Sequence, residues 1–379
     1  MSSVKNQAAY FKTFIQREPI LAVAAICALA TMCFVPPDKN YIHYIDVKTL
    51  FCLFCLMVSV KGIECEGVLT AISENLASRL KNIKALAFML VFTCFFVSML
   101  ITNDVALIAF VPVTLAVFSM YGSIKQSAIV IVLQTLAANI GSSLAPIGNP
   151  QNLYLFMHYQ FPFGSFLLTT LPFVLFGGVL LAAACFFVPN HPIHHEPSPS
   201  QHIRKKPVAV YCAMFVVAVA AVINLLPYWA SAIIITAAAF MLDRRTLMKI
   251  DYSLLLTFVV IFIVVENIAR IEWIHDYISL WMQKDCMLTA IGSSQIISNV
   301  PAAVMLSEFT DNATQLLLGV SVGGMGTLIA SMASVISYRM YAAAHQKGIK
   351  HYLWLFTLLN VIFLLSSIVF VKAWGRFVV

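Results

Sequence analysis

Charge is what this sequence has least of: only 10% of its 379 residues are Asp, Glu, Lys or Arg, where a soluble domain carries about a quarter. With 61% hydrophobic residues and a mean hydropathy of +0.91, water is excluded as the main solvent, because a soluble core this apolar would leave large exposed patches. Other absences narrow the chemistry. There is no H-E-x-x-H, no G-x-S-x-G and no pair of aspartates placed within an apolar span, so a membrane hydrolase is not expected and the chain reads as a non-enzyme without a cofactor. Cys52 and Cys55 stand in C-x-x-C, but no second pair completes a metal site, and the nine cysteines lie mostly inside apolar runs, where they read as packing residues. The stretch Ile20 to Val35 is followed by Pro36, Pro37 and Asp38 rather than a small-x-small cleavage site, so it reads as a span and not as a signal peptide.

Present instead are runs of the length a bilayer demands, about 20 apolar residues. Hydropathy predicts unbroken spans over 19–36, 47–63, 166–189, 208–226, 228–242, 252–270 and 351–371. Between them, 84–160 and 286–347 are interrupted by Asn, Gly, Pro and Ser clusters. Backbone freed at such breaks cannot face lipid, so these regions must be buried in protein or line water. The expected fold class is therefore all-α: a polytopic membrane protein with two re-entrant hairpins and two broken transmembrane helices. Its first half is 1–190, with hairpin 84–121 and broken helix 124–160. A polar cytoplasmic linker covers 191–207, and its His191, His194, His195 and His202 read as solvated rather than metal-binding. The second half, 208–379, has hairpin 286–310 and broken helix 313–347.

The net charge of +7 is scattered through the gaps between apolar runs, which is an orientation signal of membrane helices and not the footprint of a nucleic-acid binder. Lys5, Lys12 and Arg17; Arg79, Lys81 and Lys84; Arg204 to Lys206; Arg244, Arg245 and Lys249; and Lys347 with Lys350 can all be cytoplasmic if each interrupted region is one hairpin plus one broken span. That gives nine crossings of the inner (plasma) membrane, N-terminus inside and C-terminus outside, with Lys372 and Arg376 on the unexpected side.

The two interrupted regions match. Ser98, Thr102 and Asn103 stand in S-x-x-x-T-N, and Ser294, Ser298 and Asn299 in S-x-x-x-S-N, at a constant offset of 196. Gly141 to Pro150 pairs with Gly323 to Met332 at an offset of 182. The polar stretches Glu64 to Asn82 and Glu272 to Asp285 precede the hairpins as surface-lying segments on opposite faces. Two copies of one unit in opposite orientation are the sequence mark of a secondary transporter with its site at the midplane.

Helix breaks free N–H groups for anions and carbonyls for cations. Ser98, Thr102 and Asn103 with a carbonyl near Gly148 form one candidate sodium cage; Ser294, Ser298 and Asn299 with a carbonyl near Ala330 form the second. Neither set supplies the several carboxylates that calcium or magnesium would ask for. A small anion between the cages would be held by Asn103, Asn149, Asn299 and Ser331, with Asn152 and Thr327 as further donors. The competing reading is that these small polar residues only join helices. Asp104 reads as a proton carrier, a cation ligand or a cap of the helix that follows. Glu266 and Asn267 read as gating or proton groups, or, with Arg270 one turn on, as an interfacial ion pair.

These residues carry a resemblance. Ala138-Asn139-Ile140-Gly141 through Ile147-Gly148-Asn149-Pro150-Gln151-Asn152 is similar to the A-N-I-G-G…T-P-I-G-T-P-P-N loop of the divalent anion:sodium symporters and citrate transporter-like proteins of the ion transporter superfamily, which includes the arsenite permeases. Thr102-Asn103-Asp104 and Ser298-Asn299-Val300 correspond to that family's Ser-Asn-Thr hairpin tips, and the resemblance extends over nearly the whole chain. It implies sodium-coupled symport of di- or tricarboxylates, a scaffold and a moving transport domain working as an elevator, a homodimer, and substrate contacts at Asp104, Pro150 and Val300 beside the asparagines. This sequence departs where the family's substrate-touching threonines stand, which are Asp104 and Val300 here, and where its second T-P-P stands, which is Ser331-Met332-Ala333. The departures keep a second expectation open, an arsenite permease or a sodium/proton exchanger, with H+ as the coupling ion.

Overall fold

The computed structural model describes residues 18–77, 80, 82–120, 124–190 and 203–378. Among them are sixteen α-helices and no strand, and the chain is an all-α polytopic membrane protein. The linker histidines and Lys5, Lys12, Arg17, Arg79 and Lys81 lie outside the described residues.

Among the described residues, five helical segments are long and apolar enough to cross a bilayer: Lys39–Cys65, Phe163–Phe186, Lys205–Val222, Tyr252–Ala269 and Gln346–Trp374. Phe163–Phe186 is apolar on all sides yet only a third buried, with Leu168 71% exposed, the pattern of a helix solvated by lipid. One expected span comes out shorter. α1 (Pro19–Met32) ends after 14 residues, ahead of Pro36 and Pro37, which bias the preceding backbone away from helix. The expected span 228–242 is met: φ −158° and ψ 101° at Asp243 break the 21-residue helix Tyr228–Met248 one residue after its expected end.

The remaining helices fall into a peripheral and a central group. Peripherally, α2 (Val47–Cys65), then α3 (Val68–Ala77), lead into the central region. The central helices of the first half are α4 (Ile83–Ser98), α5 (Asn103–Met120), α6 (Ile124–Ser142) and α7 (Pro150–His158). α8 is Phe163–Phe186, α9 Lys205–Val222, α10 Tyr228–Met248 and α11 Tyr252–Ala269. The second central set is α12 (Glu272–Ile297), α13 (Asn299–Ser307), α14 (Ala313–Gly323) and α15 (Met332–Ala344), and α16 (Ile349–Val378) closes the chain. α2 packs on α9 and α10, and α11 packs on α1. The linker contributes to this frame: α9 starts inside it at Lys205, Pro207 being tolerated in the first turn, and Arg204 binds Glu66 at 2.6 Å.

Central contacts run in crossed pairs. α4 lies along α6 and α12 along α14, while α7 packs on α13 of the other half and α15 packs on α5 of the other half. Two apolar cores result. One includes Ala138 and Ile140 of α6, the other Val300 and Val304 of α13, and a seam of buried asparagines and serines runs beside both.

One expected ion pairing is corrected by the packing, and one cation with no expected partner finds one. Arg270 does not pair with Glu266; it reaches Asp38 at 3.3 Å and lies over the Tyr44 ring at 5.0 Å. Lys372, unexpected on its side by charge counting, binds Asp285 at 2.6 Å, where α12 kinks with φ −161° and ψ 92°. In both places the fold brings a carboxylate to the guanidinium or ammonium that sequence spacing cannot show.

Candidate functional site

Each hairpin turns at the residues that the sequence singled out, and each tip meets the break in its own half. The Asn103 N–H donates to the Gly148 carbonyl at 3.2 Å; the Asn299 N–H donates to the Ala330 carbonyl at 2.9 Å. Behind each tip a serine sits against the last turn of the broken helix. A Cβ on Gly141 would come 2.5 Å from Ser98 Oγ, and one on Gly323 would come 2.7 Å from Ser294 Oγ, so both contacts require glycine. Both hydroxyls donate within their own helix, Ser98 to Phe95 O at 2.9 Å and Ser294 to Ala290 O at 2.8 Å. Ser298 Oγ donates to Ala330 O at 3.4 Å. Ser298 also holds φ +74° and ψ 152°, a region that favours glycine and costs an ordinary residue of order 1–3 kcal/mol; backbone strain of this kind clusters at ligand sites.

At the seam between the tips, Asn139 joins the two halves. The Oδ1 atom of Asn139, on α6, accepts from Asn103 Nδ2 at 3.1 Å and from Ser331 Oγ at 3.0 Å, while its Nδ2 donates to the Gly324 carbonyl at 3.2 Å. Gly324 in turn lies against Asn299, since a Cβ there would come 2.8 Å from Asn299 Nδ2. Asn103, Asn139, Asn299 and Ser331 are all buried, at 2–5% exposure, and none faces lipid. Asn139 was not among the expected site residues. Its signal was present in the Ala-Asn-Ile-Gly run, but its counterpart by the 182 offset is Ser321, so the matching of the halves passed over it.

Four helix N-termini converge here: those of α5, α7, α13 and α15. Asn149 caps α7 by accepting from Asn152 N at 3.0 Å and gives one amide hydrogen to Ser142 Oγ at 3.1 Å. Ser331 caps α15 by accepting from Ala333 N at 3.3 Å. Beside them lies a cavity of about 150 Å³ lined by Thr102, Asp104, Asn149 and Pro150, with Lys61, Glu64, Lys249 and Asp251 at its charged side. Lys61 is already bound to Glu64 at 2.7 Å. Asp104 Oδ1 is buried without a hydrogen-bond partner.

Not every expected residue arrives at this cavity. Val300 packs into the second apolar core. Thr327 is exposed and tied to Gln295, its N–H donating to Oε1 at 2.8 Å and its hydroxyl to the Gln295 carbonyl at 3.0 Å. Asn152 spends its amide on the loop, donating to the carbonyls of Ser142, Ser143 and Ala145 at 3.2–3.3 Å.

That last arrangement explains a second residue missed from sequence. In the second half the position of Asn152 is Ser334, too short to buckle a loop, and its buried Oγ has no partner. Gln295 does the work from the hairpin side instead, donating to the carbonyls of Gly323 at 2.9 Å and Met325 at 3.0 Å. Gly326, at φ +111°, permits this approach, because a Cβ there would come 2.2 Å from Gln295 Oε1. Gln295→Ala is expected to cost about 1–3 kcal/mol for each buried group left unpaired, read as a lowered melting temperature of the purified protein; melting unchanged from wild type would rule out the buckle.

Comparison with known proteins follows the same lines. A family described as "Citrate transporter" matches residues 13–336. The chain is 35% identical over 300 residues to an uncharacterized transporter of Methanocaldococcus jannaschii, covering 79% of this chain and 82% of that one. It is 29% identical over 337 residues to the inner membrane protein YbiR of Escherichia coli, covering 87% and 90%. A silicon efflux transporter of Oryza sativa subsp. japonica is 32% identical over 133 residues, 35% of this chain and 27% of that one.

Proposed function

We propose a function from one premise: the chain belongs to the citrate transporter family. It is a multi-pass membrane transporter of the secondary class and, by the description of its family, not an enzyme. Our finer reading is a plasma-membrane, sodium-coupled symporter of small anions such as di- or tricarboxylates, working by alternating access of an elevator type as a homodimer, with its N-terminus cytoplasmic.

The observation that carries the anion is the convergence of four helix N-termini on the buried asparagine seam. Each N-terminus acts as roughly half a positive charge at its own free N–H groups; because the C-terminal ends of α4, α6, α12 and α14 meet at the same breaks, this favours an anion locally at the N–H groups and not through a net charge. Backbone N–H groups are the donors that helix ends offer it. Sodium is supported by the two matched sets of neutral oxygens. The Gly148 carbonyl accepts one tip N–H and keeps a second lone pair for a cation, while the Ala330 carbonyl accepts the Asn299 N–H and a long 3.4 Å contact from Ser298 Oγ, which a cation would displace. Uptake into proteoliposomes of labelled succinate, citrate, sulfate and arsenite, with and without a sodium gradient, tests this directly. A proton gradient driving sodium flux with no anion required would overturn it.

One observation favours a second reading. An ionised Asp104 placed 4 Å from a solute carboxylate would cost about 4 kcal/mol at an effective dielectric of 20, and its Oδ1 has no partner to neutralise it. An uncharged oxyacid with hydroxyls to donate would suit that oxygen, in keeping with the arsenite permeases that the sequence resembles and with the silicon efflux relative. Asp104→Thr distinguishes the two. On the anion reading it raises succinate affinity at neutral pH at least tenfold; on the oxyacid reading it abolishes arsenite uptake and leaves succinate unbound.

A further inference from the structure

The cavity beside the asparagine seam has two walls of different origin. Thr102, Asp104 and Asn149 stand at the starts of the central helices α5 and α7, whereas Lys61 and Glu64 come from the peripheral helix α2, and Lys249 and Asp251 from the turn between α10 and α11. The central wall offers a solute N–H groups. Asn149 gives one of its two amide hydrogens to Ser142 Oγ at 3.1 Å and keeps the other.

The peripheral wall offers charge, and most of it is already balanced. The Lys61 ammonium lies 2.7 Å from one Glu64 oxygen and 2.9 Å from the other, so that pair cancels. Asp251 caps α11, accepting from the Leu254 N–H at 3.1 Å, and a carboxylate there is compensated by the positive end of the helix dipole. Lys249 has no carboxylate partner among the described residues, and its ammonium donates to the Cys65 thiol at 3.9 Å, a weak acceptor.

The backbone of Lys249 is fixed although its ammonium is not. Its N–H donates to the Thr246 carbonyl at 3.1 Å and closes α10, the Thr246 hydroxyl pairs with that of Tyr211 at 2.9 Å, and the neighbouring Ile250 is buried in the second apolar core. The side chain therefore leaves the frame at a set place, with a cation at its end for whatever fills the cavity. Asp104 is the carboxylate of the central wall, the group that a solute charge must avoid, and Lys249 gives that charge a place on the peripheral wall.

We infer, resting on the anion reading above, that Lys249 selects solutes with two negative ends: one carboxylate meets the N–H groups of the central wall and the second meets the Lys249 ammonium. A lysine ammonium is a compact point charge, so it gains little when an amide stands where a carboxylate should be. Discrimination then comes from one charge on the frame and not from the shape of the cavity.

The test compares proteoliposome uptake of succinate with that of its monoamide, succinamate, at about pH 8, where every carboxyl group of both is ionised. The two solutes have nearly the same shape and differ by one charge. We expect wild type to show a KM for succinate lower than for succinamate by roughly fivefold or more. Lys249→Gln should raise the KM for succinate alone and so lose the preference, and Lys249→Arg should keep most of it. A merely structural role would move both KM values together. If the glutamine variant does not purify, Lys249→Met, which keeps an apolar stem, takes its place. Equal KM values in wild type, or a preference that survives removal of the charge, overturns the inference and leaves the anion reading standing. Refusal of succinate by wild type also overturns it, and refusal of every anion in the panel above sinks the anion reading as well.

Discussion

Asn103→Ala and Asn299→Ala are each expected to reduce sodium-dependent uptake below about one per cent of wild type, while the protein still purifies as a folded species. The backbone N–H groups that reach Gly148 and Ala330 survive either change, so the tips stay docked on the breaks. What disappears is the amide itself. A hundredfold loss corresponds to about 2.8 kcal/mol, within the range of one charge-assisted hydrogen bond to an ion or a carboxylate in a buried site. Asn103→Ala also leaves Asn139 Oδ1 with one donor fewer, Ser331 alone, and this should lower the melting temperature slightly more than Asn299→Ala does. Normal uptake by both variants would place the site elsewhere.

Asn139→Ala carries the second large effect, on stability and transport together. It strands three buried groups at once: the Asn103 amide, the Ser331 hydroxyl and the Gly324 carbonyl. At about 1–3 kcal/mol for each group left unpaired, the loss should be several kcal/mol and visible as a clear drop in melting temperature. Uptake should fall with it, because the two halves lose the only side chain seen to bond to both tip and opposite break among the described residues. Ser321→Ala is the control. Ser321 occupies the matching position of the second half, but its buried Oγ has no partner, so removing that hydroxyl should be neutral or slightly stabilising. A drop for Ser321→Ala as large as for Asn139→Ala would mean that the halves do not differ in the way the hydrogen bonds indicate.

The asymmetry of Asn139 and Ser321 shows why the candidate site was only partly legible in the sequence. Matching the halves brought out what they share, the Ser-Asn tips and the glycine-flanked breaks. It passed over what each half does alone: Asn139 reaching across the seam, and Gln295 buckling a loop that Asn152 buckles in the other half. Those tasks fall on different positions because the spaces to be spanned differ, and a repeat search weights only equal positions. The family resemblance placed Val300 near the solute and the reading of the second break placed Thr327 there, yet their side chains go to the apolar core and to the surface.

By itself the sequence determined the solvent, the fold class and the location of the backbone breaks. Hydropathy, helix length and the placement of Gly, Pro, Ser and Asn act over a few turns of one chain, so they can be read along it. Only the tertiary structure decided the pairings: Asn103 with Asn139, Ser331 with Asn139, Arg270 with Asp38 rather than Glu266, and Lys249 with the cavity it shares with Asp104. These partners are separated by up to 232 residues, and a hydrogen bond or ion pair forms only where packing brings its two ends within about 3 Å.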